Sequence, residues 1–293
     1  MRSGLTSVGR QRNGSAVVNQ HRHFNGATSY MMWLQEARKT NGRIRGFGYG
    51  HEERNDTGID ILLNGDETYV DRANALVDQI AAEVEIPRSV TRRSVQGFRP
   101  NVPAFIRGEP RDMWRRVKIK EDRSPIRVFV GLTSSAMIDE DDLIKRGCAI
   151  AAFAIAMSNV RPVIITPYVC LGSSRYTGRG TRNMLLSWDI STQPLILSEL
   201  MAVTRPEVTR HIGIEACRQL FGPIAQDDPS FHSDSFSEAK MRVHLNAKPD
   251  DLYLPSIHAS DPILNNPVKW VNDQVNKYTS GEVTDLDITP EDY

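Results

Sequence analysis

Cysteine is scarce, charge of one sign is not in excess, and no apolar run is long. The 293 residues hold three cysteines, Cys148, Cys170 and Cys217. They form an odd, widely spaced set in apolar surroundings, which points to buried thiols in a reducing compartment rather than a disulfide framework. None has an adjacent histidine or cationic cluster of the kind that activates a thiol. The longest apolar run, Cys148 to Met157, is about half of what a membrane span requires. The arginines near the N-terminus are not followed by the apolar stretch of a secretory signal. A cytoplasmic protein without membrane attachment is expected. The 36 basic and 36 acidic residues cancel, which excludes a wholly basic nucleic-acid coat.

Catalytic motifs are missing as well. There is no Gly-x-Ser-x-Gly elbow and no Gly-x-x-x-x-Gly-Lys-Ser/Thr loop. Gly46, Gly48 and Gly50 do not introduce a helix, so they do not read as a phosphate cradle. The histidines, His21, His23, His51, His211, His232, His244 and His258, show no i, i+4 pair of the kind a helical metal site uses. His21 and His23 fit one face of a strand, but no third ligand is near them in sequence. No catalytic residue, metal or cofactor is expected. Asp139, Glu140, Asp141 and Asp142 stand where a helix N-terminus favours negative charge, and capping explains them.

What is present is an uneven charge distribution and an α/β pattern. Residues 1–125 carry 21 Lys/Arg against 15 Asp/Glu. Residues 1–23, with Arg2, Arg10, Arg12 and Arg22 and no acid, read as a flexible basic arm. Residues 24–124 read as a helical, basic N-terminal portion. Thr28 or Ser29 opens its first helix, through Tyr30, Met31, Trp33 and Leu34. A second helix, Glu67 to Glu85, has an apolar stripe from Ala73 to Val84 and stops before Pro87. Residues 88–120, with ten Lys/Arg against Glu109 and Asp112, read as an extended connector broken by Pro100, Pro103 and Pro110. Residues 125–280 read as the α/β core. In it, strand Ile126–Leu132, helix Asp139–Ser158 and strand Arg161–Thr166 form a parallel βαβ unit. A loop from Gly172 to Arg182 and a strand from Asn183 to Trp188 follow. Helices then run from Pro194 to Val203 and from Pro206 to Leu220. Residues 222–247 read as irregular, followed by a short strand at Leu252–Leu254 and a helix from Pro267 to Tyr278. The expected fold is α/β, a mostly parallel sheet flanked by helices. Residues 281–293 form an acidic tail.

Single-stranded nucleic acid is held by cations that track the backbone and by aromatics on which bases stack. Three stretches have that composition: Arg43, Arg45, Phe47 and Tyr49; then Arg92, Arg93, Phe98, Arg99, Phe105, Arg107, Arg111, Trp114, Arg115, Arg116, Lys118 and Lys120; then Arg175, Tyr176, Arg179 and Arg182. Taken singly, each is somewhat better explained by core aromatics with a solvated rim of arginines. Their repetition brings nucleic-acid binding level with that reading. In the tail, Asp285, Asp287, Glu291, Asp292 and Tyr293 form an acidic, aromatic-ended segment suited to docking on a partner's basic pocket, or else to solubility alone.

Longer stretches carry a resemblance. "FVGLTSSAMIDEDDLIKRGCAIAAFA…RPVIITPY", "WDISTQPLILSELMAVTRPEVTRHIGIEACRQL" and "DLYLPSI…WVNDQVNKY", with "HRHFNGATSYMMWL" near the start, resemble a family of tailed-phage proteins with a von Willebrand factor A-like core. The family occurs in podophages that encode their own transcription machinery. The resemblance implies binding of single-stranded DNA and recruitment of a phage RNA polymerase to middle promoters. The alternative is a von Willebrand A-like protein-interaction adaptor without DNA affinity. Such cores bind Mg²⁺ through Asp-x-Ser-x-Ser after the first strand, and the matching positions here are Gly131, Thr133 and Ser135. The hydroxyl positions survive but the carboxylate does not, and a hard cation is held poorly by hydroxyls alone. Asp189 is the remaining candidate for the missing charge.

Overall fold

The computed structural model describes residues 6–10, 16–42, 52–83, 90–94, 99–100, 113–117, 125–134, 138–158, 161–173, 181–192, 195–220, 231–233 and 238–280. The chain opens with β1 (Thr6–Arg10) and β2 (Ala16–Phe24), then α1 (Ala27–Asn41), α2 (Glu52–Asn64) and α3 (Val70–Glu83). β3 (Val90–Ser94), β4 (Arg99–Pro100) and β5 (Met113–Val117) form a small sheet of their own. The larger sheet adds β6 (Ile126–Gly131), β7 (Val163–Ser173), β8 (Thr181–Trp188), β9 (Ile190–Ser191), β10 (Phe231–Ser233) and β11 (Leu252–Leu254). Helices α4 (Glu140–Ser158) and α5 (Leu197–Ala202) flank it. A π-helical segment (Glu207–Ile212) leads into α6 (Gly213–Gln219). α7 (Glu238–His244), α8 (Pro262–Asn265) and α9 (Pro267–Ser280) complete the set.

The large sheet runs β1-β2-β8-β7-β6-β11, with β9 and β10 paired to β7. Along that path β2–β8, β7–β6 and β6–β11 are parallel, while β1–β2 and β8–β7 are antiparallel. The fold is therefore α/β with a mixed, mostly parallel sheet flanked by helices. β6, α4 and β7 are the expected parallel unit. α4 is apolar nearly all round, and a helix of that kind belongs inside. From Leu143 to Met157 its residues are buried, except Lys145 and Ile155.

The first strands depart from the expectation. Where an arm was expected, Ala16–Phe24 lies in the sheet, parallel to β8, with His23 beside Ser187 and Phe24 beside Trp188. The β-branched Val17 and Val18 favour a strand, and a parallel partner far along the chain supplies the ladder that local sequence does not reveal. One buried cluster holds Phe24, Tyr30, Met31, Leu34, Leu62, Ala73 and Val77 together with Ile126, Phe153, Met184 and Trp188. The N-terminal helices thus share the core of residues 125–280. Arg38 of α1 reinforces this, donating from Nε and Nη2 to the fully buried Glu215 of α6 at 2.7 and 2.6 Å.

The opposite sheet face carries a second, smaller cluster of Phe129, Tyr168, Cys170, Leu185 and Tyr253, packed against Met241 of α7 and Leu245. Residues 238–244, expected to be irregular, are helical for this reason. All three cysteines are buried and unlinked, and burial pushes the Cys148 thiol up to about 11. Among the described residues no helix is long and apolar enough to cross a membrane.

Candidate functional site

Three groupings of polar side chains or positions stand out. The first lies at the carboxyl end of β6. A Cβ at Gly131 would fall 2.7 Å from the Ser256 amide nitrogen, 2.8 Å from the Pro255 carbonyl carbon and 2.8 Å from the Tyr168 hydroxyl. No side chain fits there, so an aspartate is excluded by space as well as by sequence. The charge at this place is instead Arg146 of α4. It is buried, donates from Nη1 to the Gly131 carbonyl at 2.7 Å and from Nη2 to the Pro255 carbonyl, and has Nε 3.5 Å from Asp261 Oδ2. A guanidinium thus bridges β6 and the end of β11. Thr133 is hydrogen-bonded to Ser256 within the same junction; Ser135 lies outside the described residues. Among the described residues no group of three or more His, Cys, Asp or Glu is placed to hold a metal ion.

Asp189 does not complete this loop. It contacts Arg127, at the other end of β6 from Gly131, and four strand residues span about 13 Å. Asp189 belongs to the second grouping, a polar ladder across β2, β8, β7 and β6. Its Oδ1 accepts from Arg127 Nη1 at 2.8 Å and Thr166 Oγ1 at 2.7 Å, and its Oδ2 lies 3.4 Å from His23 Nε2. Burial alone would raise this carboxyl, but the bonds from His23 and Thr166 and the Arg127 charge outweigh it and hold the carboxyl below its usual range. Ser187 Oγ lies 3.0 Å from His23 Nδ1 and 3.1 Å from His21 Nε2. One hydroxyl hydrogen serves two imidazoles, so Ser187 donates to one and accepts from the other. His21 is brought down to about 4, first by burial and then by the charges of His23 and His244.

Serine, histidine and aspartate stand in sequence of contact, as in many hydrolases, with the serine enclosed between paired strands. Ser187 is 1% exposed. Its strand is paired on both sides, with His23 of β2 and Tyr168 of β7 at its register. The arrangement ties four strands together.

The third grouping is the small sheet. Its order is β3-β5-β4, all antiparallel, and it carries Arg92, Arg93, Arg99, Arg115 and Arg116 with no acid in its strands. The register sets Arg92 opposite Arg115, Thr91 opposite Arg116, and Arg93 and Arg99 on either side of Trp114. The expected connector is therefore partly paired. Pro100 is tolerated because β4 is an edge strand, where a missing N–H costs little.

A family model described as Domain of unknown function (DUF7192) matches residues 56–279, well over half of the chain. The chain belongs to this family. No curated protein and no solved structure matches it. The DUF7192 match begins within α2 and ends in α9, so it contains the small sheet, Arg146, Ser187 and Asp189 but not His21 or His23.

Of the residues expected to bind nucleic acid, the small sheet brings Arg92, Arg93, Arg99, Arg115 and Arg116 together. Arg43, Arg45, Phe47, Phe98, Lys118, Lys120, Arg175, Tyr176 and Arg179 lie outside the described residues, as do Asp285, Asp287, Glu291, Asp292 and Tyr293 of the tail. Of the acids at the start of α4, Asp139 caps as expected, its Oδ1 accepting from the Asp142 amide at 2.8 Å, while Glu140, Asp141 and Asp142 lie in the first turn. Sequence reasoning missed the ladder of Ser187, Asp189, Thr166 and Arg127. The alternating His21 and His23 were its only visible trace.

Proposed function

We propose that this protein binds single-stranded DNA through its small basic sheet and brings a phage RNA polymerase to that DNA in the cytoplasm of an infected cell. The observation that carries the binding half is the register, which sets five arginines and a tryptophan side by side in three short strands. Like charges directly opposite each other destabilise a sheet. Arg92 stands opposite Arg115 in the β3–β5 register, a concentration of positive charge that a polyanion bound at either face of the sheet would offset. The recruitment half rests on the sequence resemblance and on the acidic tail ending in Tyr293. A von Willebrand A-like core is part of this reading. It is supported by the parallel order β7-β6-β11, with α4 between β6 and β7, whereas the antiparallel β7–β8 step departs from a wholly parallel sheet.

The test is binding to single-stranded DNA as salt is varied. Each phosphate contact contributes about −0.7 to the slope of log K against log salt, so three to five contacts give roughly −2 to −3.5. Reversal of Arg115 and Arg116 to glutamate lowers affinity while leaving the circular dichroism spectrum unchanged. Deletion of residues 281–293 strengthens DNA binding at low salt and weakens capture of the polymerase. Binding that is absent, or indifferent to both salt and charge reversal, leaves the DNA-independent adaptor as the better reading.

A further inference from the structure

We propose that the two faces of the small sheet have different roles, and that the face centred on Trp114 is the one on which a nucleotide base stacks. The inference rests on the single-stranded DNA reading and sharpens it to particular residues. Successive strand residues alternate between faces. The register therefore places Thr91, Arg93, Arg99, Trp114 and Arg116 on one face and Val90, Arg92, Ser94, Pro100, Met113, Arg115 and Val117 on the other.

The second face holds the aliphatic residues of the sheet, with Val90 opposite Val117 and Met113 opposite Ser94 and Pro100, beside the Arg92–Arg115 pair. Antiparallel sheets commonly bury one face and leave the other to solvent or ligand. The first face has no aliphatic residue. Its one aromatic, Trp114, sits on the central strand with Arg93 and Arg99 at the same rank on the two neighbours. Strands lie about 4.8 Å apart, so a base stacked at position 114 would have an arginine position on each neighbouring strand for its phosphates. Stacking on an aromatic is available to any base but only where bases are unpaired. The arrangement thus selects single strands over duplexes and over polyanions that have no bases. Trp114 becomes a binding residue, and Arg92 and Arg115 move from direct contact to a general electrostatic role.

The experiment uses the full chain and three probes: a labelled oligothymidylate, the corresponding duplex, and heparin. Trp114→Ala is expected to weaken oligothymidylate binding about tenfold or more, from the loss of one stacked base. Binding to duplex and heparin stays as in the parent, and Trp114→Phe recovers most of the loss. Arg93→Gln with Arg116→Gln is expected to reduce the oligothymidylate salt slope by about 1.4. Arg92→Gln with Arg115→Gln leaves that slope nearly unchanged. An Arg–Trp contact serving only the sheet would make Trp114→Ala lose all three probes alike, which overturns the inference. So does an equal fall in slope for the two arginine pairs. If the parent protein holds oligothymidylate no better than heparin, the single-stranded DNA reading itself fails, a result distinct from either of these.

Discussion

At residue 131 the absence of a side chain is a packing requirement. Backbone from the β11 end and the Tyr168 hydroxyl occupy the space a Cβ would take. Gly131→Ala should therefore destabilise the fold by about 1–3 kcal/mol, the usual cost of overpacking. Arg146 already supplies a positive charge at this junction through the Gly131 and Pro255 carbonyls. The melting temperature of the parent protein should then be the same in millimolar Mg²⁺ and in EDTA, since only a ligand that binds the folded state raises its stability. A clear rise with Mg²⁺ would refute this account of the junction. The glycine was legible in the sequence as a missing ligand. The reason for it was not, because the atoms that exclude a side chain come from residues 168, 255 and 256.

Among the elements, β2 has the clearest pH signature. His21 titrates at about 4 when folded and near 6.5 when unfolded. Between those values the unfolded chain binds the extra proton, so stability from this residue is complete above about pH 6.5 and is lost as pH falls towards 4, by up to about 1.4 kcal/mol per pH unit. His21→Gln should flatten that part of the stability curve, measured by urea unfolding at a series of pH values. An unchanged slope would refute this assignment to His21. Elements with a strong pattern of their own, α1, α3, α4, β6, β11 and α9, were legible in the sequence. α2 was not: Glu52–Asn64 has a glycine in its middle. The fold explains that glycine, because a Cβ at Gly58 would lie 2.8 Å from the Glu207 carbonyl oxygen where α2 crosses the π-helical segment. β3, β4 and β5 have too few apolar residues to show a two-residue period, and only their pairing defines them. The basic composition of the candidate site was therefore visible beforehand, while the division of its arginines between two faces was not.

For the whole molecule, the boundary expected at residue 124 does not separate two cores. α1, α2 and α3 contribute to the same buried cluster as β6, α4 and β8, and Tyr30 stacks on Trp188 with ring centroids 4.9 Å apart. A fragment of residues 125–280 should lack cooperative thermal unfolding and a near-ultraviolet circular dichroism spectrum. A fragment that melts as sharply as the full chain would show that the N-terminal elements are dispensable.

The parallel pairing of β2 with β8 also sets a timetable for biosynthesis. His23 meets Ser187 across 164 residues of sequence. At about 5–20 residues per second, a ribosome needs roughly ten to thirty seconds to deliver the second partner after the first. During that interval β2 has no β8 beside it, and the apolar stripe of α1 has no Trp188 to cover it. The nascent chain consequently passes through a stage in which its earliest segments are complete but unpartnered, and this is when it is most exposed to aggregation and most in need of a chaperone.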